Sequence, residues 1–198
     1  MDIKLYHTPE TRADRVRWIL HELDMHYELV RIDVFSGQTN TAEYKNIHPH
    51  VLVPAIDIDG HIMFESCAIC HWLTDMFPDK KLAPSLASTD RQQYEQWMFY
   101  APAMMEPPLW ENYLHTRLLP ENNRVAEIVP WNEKRFNKVK SVLEAELTNK
   151  SYLVNDRFST ADIVTGSVLM WDSCKLDDYP ALTEYVHRLC EREAYKRI

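Results

Sequence analysis

The residues best suited to chemistry lie between Val53 and Ser66. Val53-Pro54 stands at the mouth of an apolar run, and a proline there is expected in a tight turn, often with a cis bond. Such a turn leaves the N–H and C=O of Val53 available to an extended peptide. Twelve residues after Val53, Glu65-Ser66 opens a helical pattern. A serine at a helix start can offer its hydroxyl and N–H to a carboxylate, and the helix dipole adds attraction. Glu65, directly after Ile62-Met63-Phe64, is suited to face a ligand amine. An open backbone edge beside a carboxylate pocket and an acidic side chain describes a site for a small peptide. A second group sits near the first strand: Tyr6, His7, Thr11 and Arg12 bring two hydroxyls, an imidazole and a permanent cation together.

Other reactive residues fit their obvious chemistries poorly. Cys67-Ala68-Ile69-Cys70-His71 matches the haem-attachment pattern, and its first four residues match a redox dithiol. Haem attachment needs an exported chain, so no haem is expected. A thioredoxin-type dithiol belongs on the first helix, which begins here near Thr11 without cysteine. The two cysteines read as semi-buried helix residues. His48 and His50 alternate in a loop with no third ligand at suitable spacing, so no metal is expected.

The elements that must carry these residues follow from periodicity. Ile3–His7 alternates like a strand, and Arg12–Leu23 places Val16, Ile19, Leu20 and Leu23 on one helix face. Residues 27–34 read as a second strand and 41–47 as a short helix. The runs on either side of Gly60 make a hairpin, and 66–77 a helix closed by Pro78. The order β-α-β-α-β-β-α fits a thioredoxin-like sheet. Beyond a charged stretch containing Pro84 the strand signals end. Helices are expected over 89–100, interrupted near Pro102 and at Pro107-Pro108; over 124–148, kinked or divided at Pro130; and over 159–172 and 181–190. The fold class is therefore an α/β thioredoxin-like N-terminal domain plus an all-α C-terminal domain, divided as 1–78, a linker 79–86, and 87–198.

Composition narrows the partners. With 45% hydrophobic residues the 198-residue chain can bury a core, so disorder is excluded. The net charge is −8 and neither half carries a basic stripe, which argues against nucleic acid. No apolar run approaches the roughly 18–20 residues that cross a bilayer, so no membrane partner is expected. The chain opens straight into a strand pattern, and a cytoplasmic location is expected.

Together these motifs resemble the glutathione S-transferase family, of the bacterial cytosolic type. Arg12-Ala13-Asp14-Arg15-Val16-Arg17-Trp18 with Leu23 is similar to the first helix of bacterial members. Phe158-Ser159-Thr160-Ala161-Asp162-Ile163 is similar to the capping box of the family's core helix, and Tyr179-Pro180-Ala181-Leu182 to the lead-in of its last long helix. The resemblance implies that glutathione is the co-substrate. Its cysteinyl backbone would pair with Val53 before Pro54, and its γ-glutamyl end would meet Glu65 and Ser66. Thr11 takes the place of the serine that assists the thiol in bacterial relatives. Arg12 could supply a positive field instead, and Tyr6 could be the donor.

Many relatives carry Asn-Pro-x-Gly-Lys before Val-Pro, where this chain has His48-Pro49-His50-Val51-Leu52. Leu52 occupies the lysine's place in the glutathione site without its charge, and His50 or Lys45 could substitute. The electrophile is expected near Met104, Met105 and Trp110, in a stretch that also holds Trp97, Met98, Tyr100 and Tyr113. The implied activity is conjugation of glutathione to small hydrophobic electrophiles, as in detoxification, by a homodimer. The alternatives are a glutathione-dependent isomerase or dehalogenase, and a non-catalytic binding or regulatory relative.

Overall fold

A computed structural model describes residues 1–37, 39–171 and 174–198. Its backbone forms two compact units, Met1–Ala83 with Cys190–Ile198, and Pro84–Leu189.

The first unit runs β1 (Ile3–His7), α1 (Ala13–Glu22), β2 (Glu28–Arg31), α2 (Ala42–Ile47), β3 (Ala55–Ile58), β4 (His61–Phe64) and α3 (Ser66–Met76). Among the described residues the sheet order is β2-β1-β3-β4, with β1 parallel to β2 and the other pairs antiparallel. A parallel pair needs a crossover, and α1 supplies it. Alternation in β1 buries Ile3, Leu5 and His7 on one face and leaves Lys4 and Tyr6 on the other. The β3–β4 turn is Asp59-Gly60, with φ of 52° and 85°, the left-handed pair that matches the twist of a two-residue hairpin. β2 is shorter than its apolar run. The Asp33 carboxylate accepts the N–H groups of Phe35 and Ser36 at 3.0 and 3.1 Å and turns the chain away. Residues 190–198 belong to this unit: Arg192 grips both oxygens of Glu22 at 2.7 Å, and Tyr195 meets Trp18 edge-on at 4.8 Å.

The second unit is helical: α4 (Asp90–Tyr100), α5 (Glu106–Tyr113), α6 (Ile128–Leu147), α7 (Thr160–Leu169) and α8 (Pro180–Cys190). The expected breaks at Pro102 and at Pro107-Pro108 are corrected. A π-helical turn, Ala101–Met105, joins α4 to α5, so the helical path continues through all three prolines. The wider turn absorbs the N–H that Pro102 lacks. Pro130 does not divide α6 either, because the helix begins at Ile128 and the proline falls in its first turn, where backbone donors have no intrahelical partner. The periodic stretch expected to reach 172 ends its helix at Leu169, and Asp172 itself lies outside the described residues.

α7 is the core of this unit, buried along nearly its whole length. Gly166 lets α8 come close: a Cβ there would stand 2.3 Å from Leu189 Cδ1. Gly166→Ala is expected to destabilise the protein by about 1–2 kcal/mol, overpacking outweighing the helix propensity gained. Urea unfolding would test this; an unchanged midpoint would mean that Leu189 yields without penalty.

Candidate functional site

The β3–β4 register builds the site. Ala55 lies across from Phe64. The two residues before Ala55 and the two after Phe64 therefore leave the hairpin at the same end, which brings Val53-Pro54 beside Glu65-Ser66. The Val53–Pro54 bond is cis. Neither backbone polar group of Val53 is hydrogen-bonded to another described residue. The loop ahead of it is pinned from α2, where the Tyr44 hydroxyl donates to the Leu52 carbonyl at 2.9 Å. Burial, then the neighbouring Tyr6, pushes the Tyr44 phenol up to about 12, so it remains a donor. Leu52 and His50 are exposed. The His50 N–H donates to Nδ1 of the buried His48 at 3.2 Å. Burial and then His50 hold the His48 imidazole below its ordinary value, with the Glu65 carboxylate opposing, and the neutral ring suits an acceptor.

At the opposite wall Glu65 has φ 73° and ψ 99° and is exposed, and its carbonyl accepts the Ile69 N–H at 2.9 Å to start α3. Ser66, the first helical residue, is buried. Beneath it lies a residue that motif reading passed over. Arg15 of α1 is 1% exposed, and its Nη1 donates to Ser66 Oγ at 3.4 Å and to Cys67 Sγ at 3.2 Å. The available signal was periodicity: position 15 precedes Ile19 by four and so falls on the apolar face of α1. His7 of β1 is buried as well. Its Nε2–H donates to Asp14 Oδ1 at 2.7 Å, while its buried Nδ1 meets no hydrogen-bonding partner among the described residues.

Comparisons with known proteins match both halves of the chain. The family model described as glutathione S-transferase, N-terminal domain, matches residues 1–75, and the C-terminal domain model matches 108–193. Glutathione S-transferase hmp2 of Hypomyces subiculosus is 30% identical over 82% of this chain and 79% of its own length. The chain belongs to the glutathione S-transferase family. Disulfide-bond oxidoreductase YfcG of Escherichia coli (strain K12) is 26% identical over 97% of this chain and 92% of its own. Glutathione transferase URE2P8 of Phanerochaete chrysosporium, solved with oxidized glutathione, superposes with a TM-score of 0.88 at 22% identity, covering 99% of this chain and 92% of its own, a likeness of fold.

In this transferase-family chain the candidate thiol activators stand on β1 and in the turn ahead of α1. Tyr6 points toward α2, its ring edge-on to Tyr44 at 6.0 Å, and burial raises its phenol. Thr11 lies just before α1, where its hydroxyl donates to the Thr8 carbonyl at 2.6 Å and accepts the Ala13 N–H at 3.2 Å. Arg12 follows it, partly exposed. Cys67 and Cys70 are not joined in a disulfide, and burial pushes the Cys70 thiol far up, which makes Cys70 a poor nucleophile.

The helical unit divides the three residues expected near an electrophile. Met104 and Trp110 are exposed, and Trp110 stacks on Tyr113 at 5.6 Å. Met105 departs from the expectation: it is 0% exposed, a core residue that presents no surface to a ligand.

Proposed function

We propose that the protein binds glutathione along Val53, Glu65 and Ser66 and joins it through its sulfur to small hydrophobic electrophiles. The observation that carries this reading is Glu65, held at φ 73° beside a buried serine, at the same end of the β3–β4 hairpin as the open backbone of Val53. That arrangement offers a peptide backbone two hydrogen bonds, an ammonium a carboxylate, and a carboxylate a helix N-terminus. Glutathione carries all three partners, and URE2P8, a protein of this fold, was solved with its oxidised form. Leu52 and His50 border the same loop, and both are exposed.

Conjugation requires the thiol to lose its proton, and the thiolate then attacks the electrophilic carbon and expels its leaving group. Thr11 is the first candidate to stabilise the thiolate, by turning its hydroxyl from the Thr8 carbonyl to the sulfur, with Arg12 adding positive field. Tyr6 is the second. On the helical unit, Met104 and Trp110 offer exposed apolar surface of the kind a hydrophobic ligand needs. The exposed Ile62, Phe64, Trp72 and Met76 on the first unit suit coverage by a second copy, in keeping with a cytoplasmic homodimer. Light scattering at a mass near 23.5 kDa would refute the dimer.

A second reading is favoured by the likeness to a disulfide-bond oxidoreductase along nearly the whole chain. In it the same thiolate attacks a disulfide sulfur, giving a mixed disulfide and a released thiol, and a second glutathione completes the reduction.

The test is calorimetric titration with glutathione, beside turnover assays with a chlorinated aromatic electrophile and with a small-molecule disulfide. Micromolar-to-millimolar binding with conjugation is expected. Thr11→Val should lower turnover about 10- to 100-fold and move the acid limb of its pH profile upward, while Tyr6→Phe leaves the profile in place. The reverse pattern would make Tyr6 the activator. Disulfide turnover alone would select the second reading, and absence of binding would remove both.

A further inference from the structure

We propose that His48 is a positioning residue: its neutral imidazole holds the loop ahead of Val53 in its binding form, so that glutathione binding weakens in acid. The proposal rests on the glutathione reading and adds the proton as a regulator of the same site.

Among the described residues, three hydrogen bonds tie down the chain between α2 and Val53. The His48 carbonyl accepts the Val51 N–H at 2.9 Å, the Tyr44 hydroxyl donates to the Leu52 carbonyl at 2.9 Å, and Nδ1 of the His48 ring accepts the His50 N–H at 3.2 Å. The first joins backbone groups and does not titrate. The second depends on a phenol pushed up to about 12, which keeps its proton across the neutral range. The third depends on an imidazole, which changes charge near neutrality. An Nδ1 that accepts carries no proton; once protonated it is a donor facing another donor, and the bond is lost. The ring has little freedom to turn away. His48 is 5% exposed, its backbone N–H is bound to the Tyr44 carbonyl at 2.8 Å, and its ring lies against Phe64 with centroids 5.0 Å apart. The turn it holds is also strained. Val51 has φ 54°, in the left-handed region where a β-branched residue is an outlier, and such a conformation persists only while its surroundings fix it. Loss of the His50 bond therefore releases the backbone leading into Val53, whose own N–H and C=O pair with no described residue.

The groups around the ring set the direction. His50 on the same loop and Glu65 after β4 act on it, while α2 presents the neutral Tyr44. Burial first, then His50, holds the imidazole below 6.5, with Glu65 opposing. A ring that must be neutral in the bound form leaves binding level at neutral pH and weakens it as the pH falls through the ring's own pKa.

S-methylglutathione tests this, because it has no thiol to ionise, and calorimetry between about pH 7.5 and about pH 5 leaves its carboxylates charged. Its dissociation constant for the unaltered protein should rise about three- to tenfold toward the acid end. His48→Asn keeps an acceptor two residues ahead of the His50 N–H but takes no proton, so its dissociation constant should stay level. His48→Leu has no acceptor and should bind weakly at both ends of the window. His50→Gln should keep the rise. A rise that survives in His48→Asn or disappears in His50→Gln, or tight binding by His48→Leu, would overturn the proposal. Should His48→Asn fail to fold, NMR titration of the His48 ring in the unaltered protein decides: by linkage the ligand must lower its pKa, and an unchanged or raised value sinks the idea. If the unaltered protein does not bind S-methylglutathione at neutral pH, the glutathione reading itself fails and takes this proposal with it. Binding that stays level from neutral pH into acid removes this proposal alone.

Discussion

Asp162→Ala is expected to lower the stability of the folded protein by about 3–5 kcal/mol at pH 7, the largest single effect foreseen on the fold. The carboxylate is 0% exposed and gathers four donors. Oδ1 accepts the Leu153 N–H at 3.0 Å and the Tyr185 hydroxyl at 2.9 Å; Oδ2 accepts the Ser159 N–H at 2.8 Å and its hydroxyl at 3.0 Å. Alanine would strand these donors in the protein interior, at about 1–3 kcal/mol each. Opposing this, the variant no longer buries a charge. Burial raises the Asp162 carboxyl from 3.8 to about 6 against the pull of its hydrogen bonds, a shift worth on the order of 3 kcal/mol. The stranded donors outweigh that gain.

The same residue makes stability depend on pH. Its folded pKa lies above its unfolded one, so the folded state holds the proton more tightly. Its contribution is fully present below pH 3.8, declines as pH rises to about 6, and is level above that. Urea unfolding of the unaltered protein and Asp162→Asn at intervals from pH 4 to 7 would read this as a difference that shrinks with rising pH. A difference that grows would mean that the four donors dominate burial.

Asp162 was legible in the sequence because a capping box is local: Ser159 and Asp162 lie three residues apart and satisfy each other whatever the rest of the chain does. Val53-Pro54, Gly60 and Glu65-Ser66 were legible for the same reason, since a hairpin with a two-residue turn brings its ends together without distant help. Arg15 was not. Its importance comes from α1 passing beneath α3, a contact across 51 residues that no local pattern encodes. Alternation placed Tyr6 and His7 on opposite faces but could not say which face α2 would cover. Met104 and Met105 show a further obstacle. Adjacent helical residues point about 100° apart, so burial of one rather than the other depends on helix phase. The π turn at 101–105 inserts a fraction of a turn there and resets that phase. Proline rules predict an interruption at that place and say nothing of a continuous helix with a shifted face.

Glu65→Gly should move binding and stability in opposite directions. A glutamate at φ 73° costs about 1–3 kcal/mol in backbone strain, which persists only where the surroundings hold it. Glycine adopts that conformation freely and gives back about 0.5–1 kcal/mol through its larger unfolded-state entropy. The balance leaves the variant as stable as the unaltered protein or up to about 2 kcal/mol more so. Its carboxylate, however, is the group assigned to the ligand's ammonium, and a hydrogen bond to a charged partner contributes about 1.5–3 kcal/mol. Glutathione affinity should therefore fall about 10- to 100-fold while the urea midpoint holds or rises. Glu65→Ala separates the two causes, because it removes the carboxylate and keeps the strained backbone: it should match Glu65→Gly in lost affinity without the gain in stability. If both variants bind glutathione normally, the carboxylate has no part in the site and the strain at residue 65 needs another explanation. If affinity and stability fall together in Glu65→Gly, the side chain supports the fold. The split outcome would mark residue 65 as a place where folding stability is given up for a binding geometry.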